Sequence, residues 1–409
     1  MSTIRQPARD TYDVLLDLGT SRSGEPIAYA LIKRTYAVNP DGPCVLASPE
    51  PLLHDYRDPD ASPRLCPGTD FFPHKDRTDF VVRGAAYASG AKPTCSMTAK
   101  ASLGSASKSI AVFGAREIQW TGGGTPIIGG PEPFVRMPLT YESAYGGFDW
   151  RVRPTGPVTV EQFGLAAVQL DHPGMYPRNP AGKGYLVVNE PVESVTMPNL
   201  EDPWDLLTAE RLVSGDPSAW YERPRPACFD WVWAFTFPRF THFQAGVDAW
   251  FPGPEDDRMP EVRRGWLRKG YRSSRPTGAL PEFFQEAAPE LVLAEVRGDE
   301  RVRIEGMHPE RRVLDFALPG PPPRVEFVVE GRREAVHVRT HSVVVEPDTR
   351  RLTMLYGATV ALKRTFVPGI HKHIPIEAIV DGDAPIAYRT PPTVRDQLRH
   401  VEATTARPS

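Results

Sequence analysis

Proline occurs 45 times in 409 residues. That is about 11% of the chain, roughly twice the usual share. Each proline removes a backbone donor and breaks a helix interior, so a long helical bundle or coiled coil is excluded. The same chain is 40% hydrophobic and carries 18 Phe, 13 Tyr and 8 Trp. This is ample material for a packed core, and it excludes a disordered chain. What remains is a globular protein built mainly from strands and loops.

Period-2 patterning bears this out along the chain. Residues 25–38 carry many β-formers and few breakers, ending at the Asn39-Pro40 turn. Cys95, Met97, Ala99, Ala101 and Leu103 alternate with Ser96, Thr98, Lys100 and Ser102, which predicts a strand with one dry and one wet face. Residues 79–88 and 109–114 read as further strands. A C-terminal meander is predicted from 291–297 and 301–307 around Gly298-Asp299-Glu300, then 324–330 and 333–346 around Gly331-Arg332. It continues through Glu346-Pro347-Asp348-Thr349 into 351–362, with Leu352, Met354 and Tyr356 on one face. Helical signal is thin. Asp202-Pro203 predicts an N-cap and a short helix over 203–213, and another is predicted near 281–288. Residues 121–133 read as a loop.

The expected fold is mainly β, with sandwich-like antiparallel sheets, long Pro-rich loops and a few short helices. The expected division is an N-terminal β region over 1–200, an aromatic, Pro-rich insert over 201–290, a C-terminal β-meander over 291–386 and a tail over 387–409. One continuous domain is the alternative.

Forty-eight Lys and Arg against 51 Asp and Glu leave a net charge of −3, which disfavours nucleic acid as the main partner. Cys44, Cys66, Cys95 and Cys228 form no C-x-x-C pair, which argues against a zinc module or a disulfide framework. No stretch reaches 18 apolar residues, and Met1–Pro7 lacks the apolar core of a signal peptide. The expectation is a cytoplasmic protein with no membrane partner.

Catalytic patterns are sparse. The glycines of 122–130 lack the Lys-Ser/Thr pair of a phosphate loop and read as a connector. There is no G-x-S-x-G elbow and no H-E-x-x-H. His337 with His341, and His371 with His373, would each share a strand face. With Glu377 they would offer a zinc or iron site only if the fold brought them together, which the spacing does not require; ordinary surface or hydrogen-bonded histidines are the plainer account. No catalytic, cofactor or metal residue is assigned.

The strongest chemical feature is aromatic. Phe229, Trp231, Trp233, Phe235 and Phe237 occupy alternate positions, one strand face made wholly of aromatics. A core-facing strand accounts for it, as large aromatics are usually buried. A protein-docking surface is the functional account. Downstream, Arg258, Arg263, Arg264, Arg268, Lys269, Arg272 and Arg275 stand against Glu261 alone, near Trp250, Trp266 and Tyr271. A solvated loop explains such a run, and a surface for an acidic protein explains it equally. Trp231, Trp233, Phe235, Arg263, Arg264 and Trp266 are the candidate partner-binding residues.

Several blocks recur together in order: 70–75 (DFFPHK), 78–88 (TDFVVRGAAYA), 133–142 (PFVRMPLTYE), 144–147 (AYGG), 179–184 (NPAGKG), 197–203 (MPNLEDP), 283–289 (FFQEAAP) and 314–320 (LDFALPG). In this combination the chain resembles the domain-of-unknown-function family 2169 over roughly residues 25–365. Where that family commonly has a Gly-Phe-Gly-Pro-Ile-type segment, this chain has Ala227-Cys228-Phe229-Asp230-Trp231-Val232-Trp233. The resemblance implies a bacterial protein encoded beside type VI secretion genes. It implies a non-enzymatic adaptor or chaperone that loads a toxic effector, often PAAR-tipped, onto the VgrG spike. It supplies no catalytic residue. A metal-dependent hydrolase using the paired histidines and a structural component of the contractile particle are the alternatives. Within the blocks, Arg136, Tyr141 and Glu142 beside Gly146-Gly147 are expected to form a buried polar brace or to line a groove.

Overall fold

The computed structural model describes residues 10–21, 25–52, 70, 75–120, 126–156, 160–163, 166–169, 172–176, 178–188, 192, 194–208, 211, 223–230, 285–366, 371 and 373–388. It is mainly β, with several antiparallel sheets and no barrel; among the described residues no helix reaches seven residues.

The largest sheet has seven strands. Its order runs Asp13–Thr20, Pro26–Ala37, Arg351–Ala361, Val338–Glu346, Thr78–Val82 and Val292–Leu293, with Val45–Ala47 added beside Pro26–Ala37. Pro26–Ala37 is long and apolar because both of its faces are covered. Ala28, Ala30 and Ile32 enter the main core, while Tyr29 and Leu31 pack on the other side with Leu15, Leu52 and Leu355. A strand buried on both faces loses the alternation of a half-wet one and reads as a continuous apolar run. Neighbouring pairs are antiparallel except Thr78–Val82, which runs parallel to Val338–Glu346.

A five-stranded sheet follows the order Leu200–Glu201, Ala106–Phe113, Ser96–Leu103, Arg301–Glu305 and Val313–Ala317. The predicted alternation holds over 98–103, where Ala99, Ala101 and Leu103 are fully buried and Thr98 and Lys100 are exposed. Met97 is only half-buried, and Cys95, expected on the dry face, is exposed just before the strand begins. A four-stranded sheet orders Arg332–Val336, Val325–Val329, Ile376–Val380 and Ile386–Ala387. Ala30, Ala101, Ile304 and Phe327, drawn from all three sheets, meet in one hydrophobic cluster. At about 25 cal/mol per Å² of apolar surface, this shared burial is the main force holding the layers together.

The hairpin around Gly331 forms as predicted, with Val329 opposite Arg332. The meander as a whole does not. Val292–Leu293 joins the seven-stranded sheet, whereas Arg301–Glu305 joins the five-stranded one. The turn between them is real: the Glu300 carboxylate accepts the amides of Arg297 and Gly298, both at 2.8 Å. It passes the chain between sheets instead of folding it back. Likewise 333–346 divides at His337 into strands of different sheets, and 79–88 divides into Thr78–Val82 and Ala85–Tyr87. Within the predicted 121–133 loop, Pro126–Ile128 is a strand paired with Glu117–Trp120.

Over 203–208 the predicted helix is replaced by a tight turn, and helical geometry appears only at Arg211, whose amide donates to the Thr208 carbonyl at 3.1 Å. Asp202 accepts the amide of Trp204 at 2.9 Å, and the amide of Leu207 goes to the Glu201 carboxylate at 2.8 Å instead of to a carbonyl one turn back. Of the predicted 281–288 helix, residues 285–288 are irregular, and a single 3₁₀ turn follows at Pro289–Leu291. Glu286 gives its amide to Asp79 at 2.8 Å, and Ala288 precedes a proline, which disfavours helical backbone.

Candidate functional site

Two features stand out, one sealed and one open. The sealed one is ionic. Lys75 pairs with Asp79 and with Glu286 (2.9 Å), and donates to Ser342 at 3.1 Å. Side-chain exposure is 1% for Lys75, 0% for Asp79 and 3% for Glu286, so none of them is in reach of a dissolved substrate. Three of the recurring blocks meet here, 70–75, 78–88 and 283–289, although Lys75 and Glu286 are 211 residues apart. Beside them lies His341. Burial, then the charges of Lys75 and Arg339, push its imidazole down to about 3.

A second buried polar node joins the middle blocks. Asn179 Nδ2 donates to the carbonyls of Tyr141 (2.8 Å) and Tyr145 (3.0 Å). Lys183 donates to Asn199 Oδ1 at 2.6 Å, and Asn199 donates to the Phe113 carbonyl at 3.0 Å. The brace expected from Arg136, Tyr141 and Glu142 does not form; a different one does, to which Tyr141 contributes only its carbonyl. Arg136 is exposed and reaches the Tyr87 hydroxyl at 3.3 Å, whereas Asn179 does the bracing. A brace must satisfy buried carbonyls, and a carboxamide has the two N–H donors for it.

The open feature is a cleft of about 780 Å³ between Tyr87–Thr94, Met97–Lys100 and Glu305–Arg312. Its size is that of a site for a small ligand or a few residues of a peptide. Its walls are fixed. Tyr87 donates its amide to the Gly306 carbonyl at 2.9 Å, and the Tyr87 hydroxyl donates to Asp348 at 2.8 Å. Gly306 has φ +74° and sits where a Cβ would meet Met97 Cε at 2.8 Å, so only glycine turns the chain there without narrowing the cleft. His308 Nδ1 accepts the amides of Glu310 (3.1 Å) and Arg311 (3.0 Å), which shapes the far rim. Burial and the neighbouring Arg350 hold that imidazole below its ordinary value.

Lys92, Lys100, Arg311 and Arg312 face Glu305 and Glu310 in the lining, a surplus of two positive charges on a chain of net charge −3. Both carboxylates already have arginine partners, Arg303 for Glu305 (2.9 Å) and Arg350 for Glu310 (3.2 Å), and Arg311 pairs with Asp41 (2.9 Å). Lys92, Lys100 and Arg312 are exposed and have no carboxylate partner among the described residues. Sequence reading did not single out these three. Each is an ordinary surface cation on its own, and only the fold brings them together.

Trp231, Trp233, Phe235, Arg263, Arg264 and Trp266 lie outside the described residues. Phe229, at the start of that aromatic run, is fully buried, and its carbonyl accepts the amide of Val82 at 3.0 Å. The histidine pairs are not brought together. His337 is exposed beside Glu295 (3.1 Å) while His341 is buried, because a bulge between Thr340 and Ser342 breaks the alternation that would have put both on one face. His371 packs edge-on against Phe366. Among the described residues no three His, Cys, Asp or Glu side chains gather as metal ligands. No described helix is long and apolar enough to cross a membrane.

The protein is thus mainly β, with a sealed ionic cluster around Lys75 and an open cleft whose lining is basic. Residues 23–356 match a family profile described as "Uncharacterized protein conserved in bacteria (DUF2169)", and the chain belongs to that family. Both the sealed centre and the cleft fall within the matched span. No curated protein and no solved structure matches the chain.

Proposed function

We propose that the protein is a non-enzymatic adaptor or chaperone that binds a type VI secretion effector and helps load it onto the VgrG/PAAR spike in the bacterial cytoplasm. The observation that carries this reading is the division of labour among polar groups. Three ionisable side chains of the blocks, Lys75, Asp79 and Glu286, are inaccessible and tie the segments around 75 and 286 to the seven-stranded sheet. The accessible cations instead line an open, preorganised cleft suited to a protein segment. Buried groups that cannot touch a substrate support a scaffold, and a shaped charged cleft supports recognition. The secretion partners themselves come from the family resemblance.

The test is a tagged pull-down from the native host, with mass spectrometry of the co-purifying proteins. Recovery of a spike protein or a PAAR-bearing toxin supports the adaptor. Its loss on Trp231→Ala with Trp233→Ala, fold intact, would place the contact on the aromatic segment. Presence of this chain in secreted spike preparations would instead make it a component of the particle. Binding to neither effector nor spike would end the adaptor reading.

A further inference from the structure

The strand ladder on the cleft floor stops part-way. Arg301–Glu305 pairs with Ser96–Leu103 from Val302–Leu103 as far as Glu305–Lys100, and the chain then turns away at Gly306. Beyond Lys100 the longer strand passes through buried Ala99 to Thr98 and Met97, which pair with Ala111 and Val112 on one side and border the cleft on the other. Gly306 lies against the Thr98 carbonyl where the ladder stops. No described strand continues the ladder there. A strand with one side unladdered is a template for an added extended chain.

We propose that this cleft receives an extended, acidic segment of a partner protein. The segment continues the interrupted ladder beside Met97 and Thr98, and its carboxylates face Lys92, Lys100 and Arg312. The three cations come from three different segments of the chain that border one cleft. Glu305 and Glu310 stand among them. A nucleic-acid backbone, charged at every residue, would meet these carboxylates whatever its register. A peptide places its charges at alternate positions and leaves room for them. Met97, Pro93 and Pro309 supply apolar contact between the charges. That the segment belongs to a secretion client rests on the adaptor reading above; the chemistry of the cleft does not.

The experiment uses the full chain and a fluorescein-labelled peptide of about ten residues, alternating Glu and Thr, which spans roughly 33 Å when extended. Its Lys/Thr counterpart and a short DNA duplex serve as competitors, and anisotropy reports binding. The acidic peptide should bind in preference to both, weakening about tenfold or more between about 50 mM and about 500 mM salt. The triple variant Lys92→Glu, Lys100→Glu and Arg312→Glu should lose it by at least about tenfold while keeping the wild-type melting temperature, since all three sites are exposed. Equal binding of the basic peptide, stronger binding of the duplex, or indifference to charge reversal would overturn the proposal.

The same variant in the pull-down separates the two readings. If the effector or spike is captured by wild type and lost by the variant, both stand. If both forms capture it, the adaptor stands and the cleft proposal falls. If the peptide binds as described but wild type captures no effector or spike, the cleft proposal stands and the adaptor falls.

Discussion

The imidazole of His341 occupies the space that a side chain at position 357 would need: a Cβ built on Gly357 would overlap the ring. The relationship originates in the register of two adjacent strands. Thr340 sits opposite Tyr356 and Ser342 opposite Leu355, so His341 is the extra residue of a bulge. A bulge redirects a side chain out of the strand's alternation. Here it swings the ring over the neighbouring strand, where only a glycine leaves room.

Gly357→Ala is therefore expected to destabilise the protein by about 2–3 kcal/mol through overpacking. Adding His341→Ala should recover part of that loss. Urea midpoints of the two single variants and the double variant give the coupling. A neutral Gly357→Ala would show that the ring does not sit there.

His341 should also make stability depend on pH. The folded state holds its imidazole near 3, whereas the unfolded chain holds it near its ordinary ~6.5. Between these values the unfolded state binds the proton and the folded state does not, so stability rises with pH there. The contribution is complete above about 6.5 and is lost as pH falls toward about 3, with a slope of up to about 1.4 kcal/mol per pH unit. Urea unfolding at a series of pH values should show a shallower dependence in His341→Asn than in wild type. Parallel curves would contradict this assignment.

Lys75→Met should be among the most damaging substitutions. It removes from Asp79 and Glu286 the buried cation that they share, at a cost of about 3–5 kcal/mol. Combining it with Glu286→Gln, which removes one of the stranded charges, should restore some stability. If the double variant is as unstable as the sum of its parts, the two side chains do not act as a pair.

Asn179→Ala should lose about 1–3 kcal/mol and Asn179→Asp more, because both remove the N–H groups that serve the Tyr141 and Tyr145 carbonyls and the Asp variant also buries an oxygen anion against them. The Asp variant keeps the shape and one oxygen acceptor. Wild-type-like thermal unfolding of Asn179→Asp would mean that shape, not donation, matters at this position.

Strand existence was written locally, and so were some turns. Alternation marks Ser96–Leu103, an unbroken apolar run marks Pro26–Ala37, and Gly331 marks the hairpin after Val325–Val329. The thin helical signal proved weaker still: Asp202 makes the bond of an N-cap to the Trp204 amide, but Glu201 takes the Leu207 amide that a helix at 203–213 needs. The candidate site was barely legible. Lys100 reads only as part of a wet strand face, Lys92 carries no signal of its own, and nothing near Arg312 in the chain reveals that they share a cleft with it.

By itself, then, the sequence determined that this chain is a strand-rich globular protein, where most of its long strands run and which of their faces are apolar, since those follow from proline content and side-chain period. Only the tertiary structure decided that Arg332–Val336 and Val338–Glu346 part company at His337, that Lys75 meets Glu286, and that three ordinary cations line one cleft. The physical reason is that strand pairing joins backbone groups that are alike at every residue. Partner, register and the surroundings of a charge are therefore set by packing across the whole chain, and no local pattern carries them.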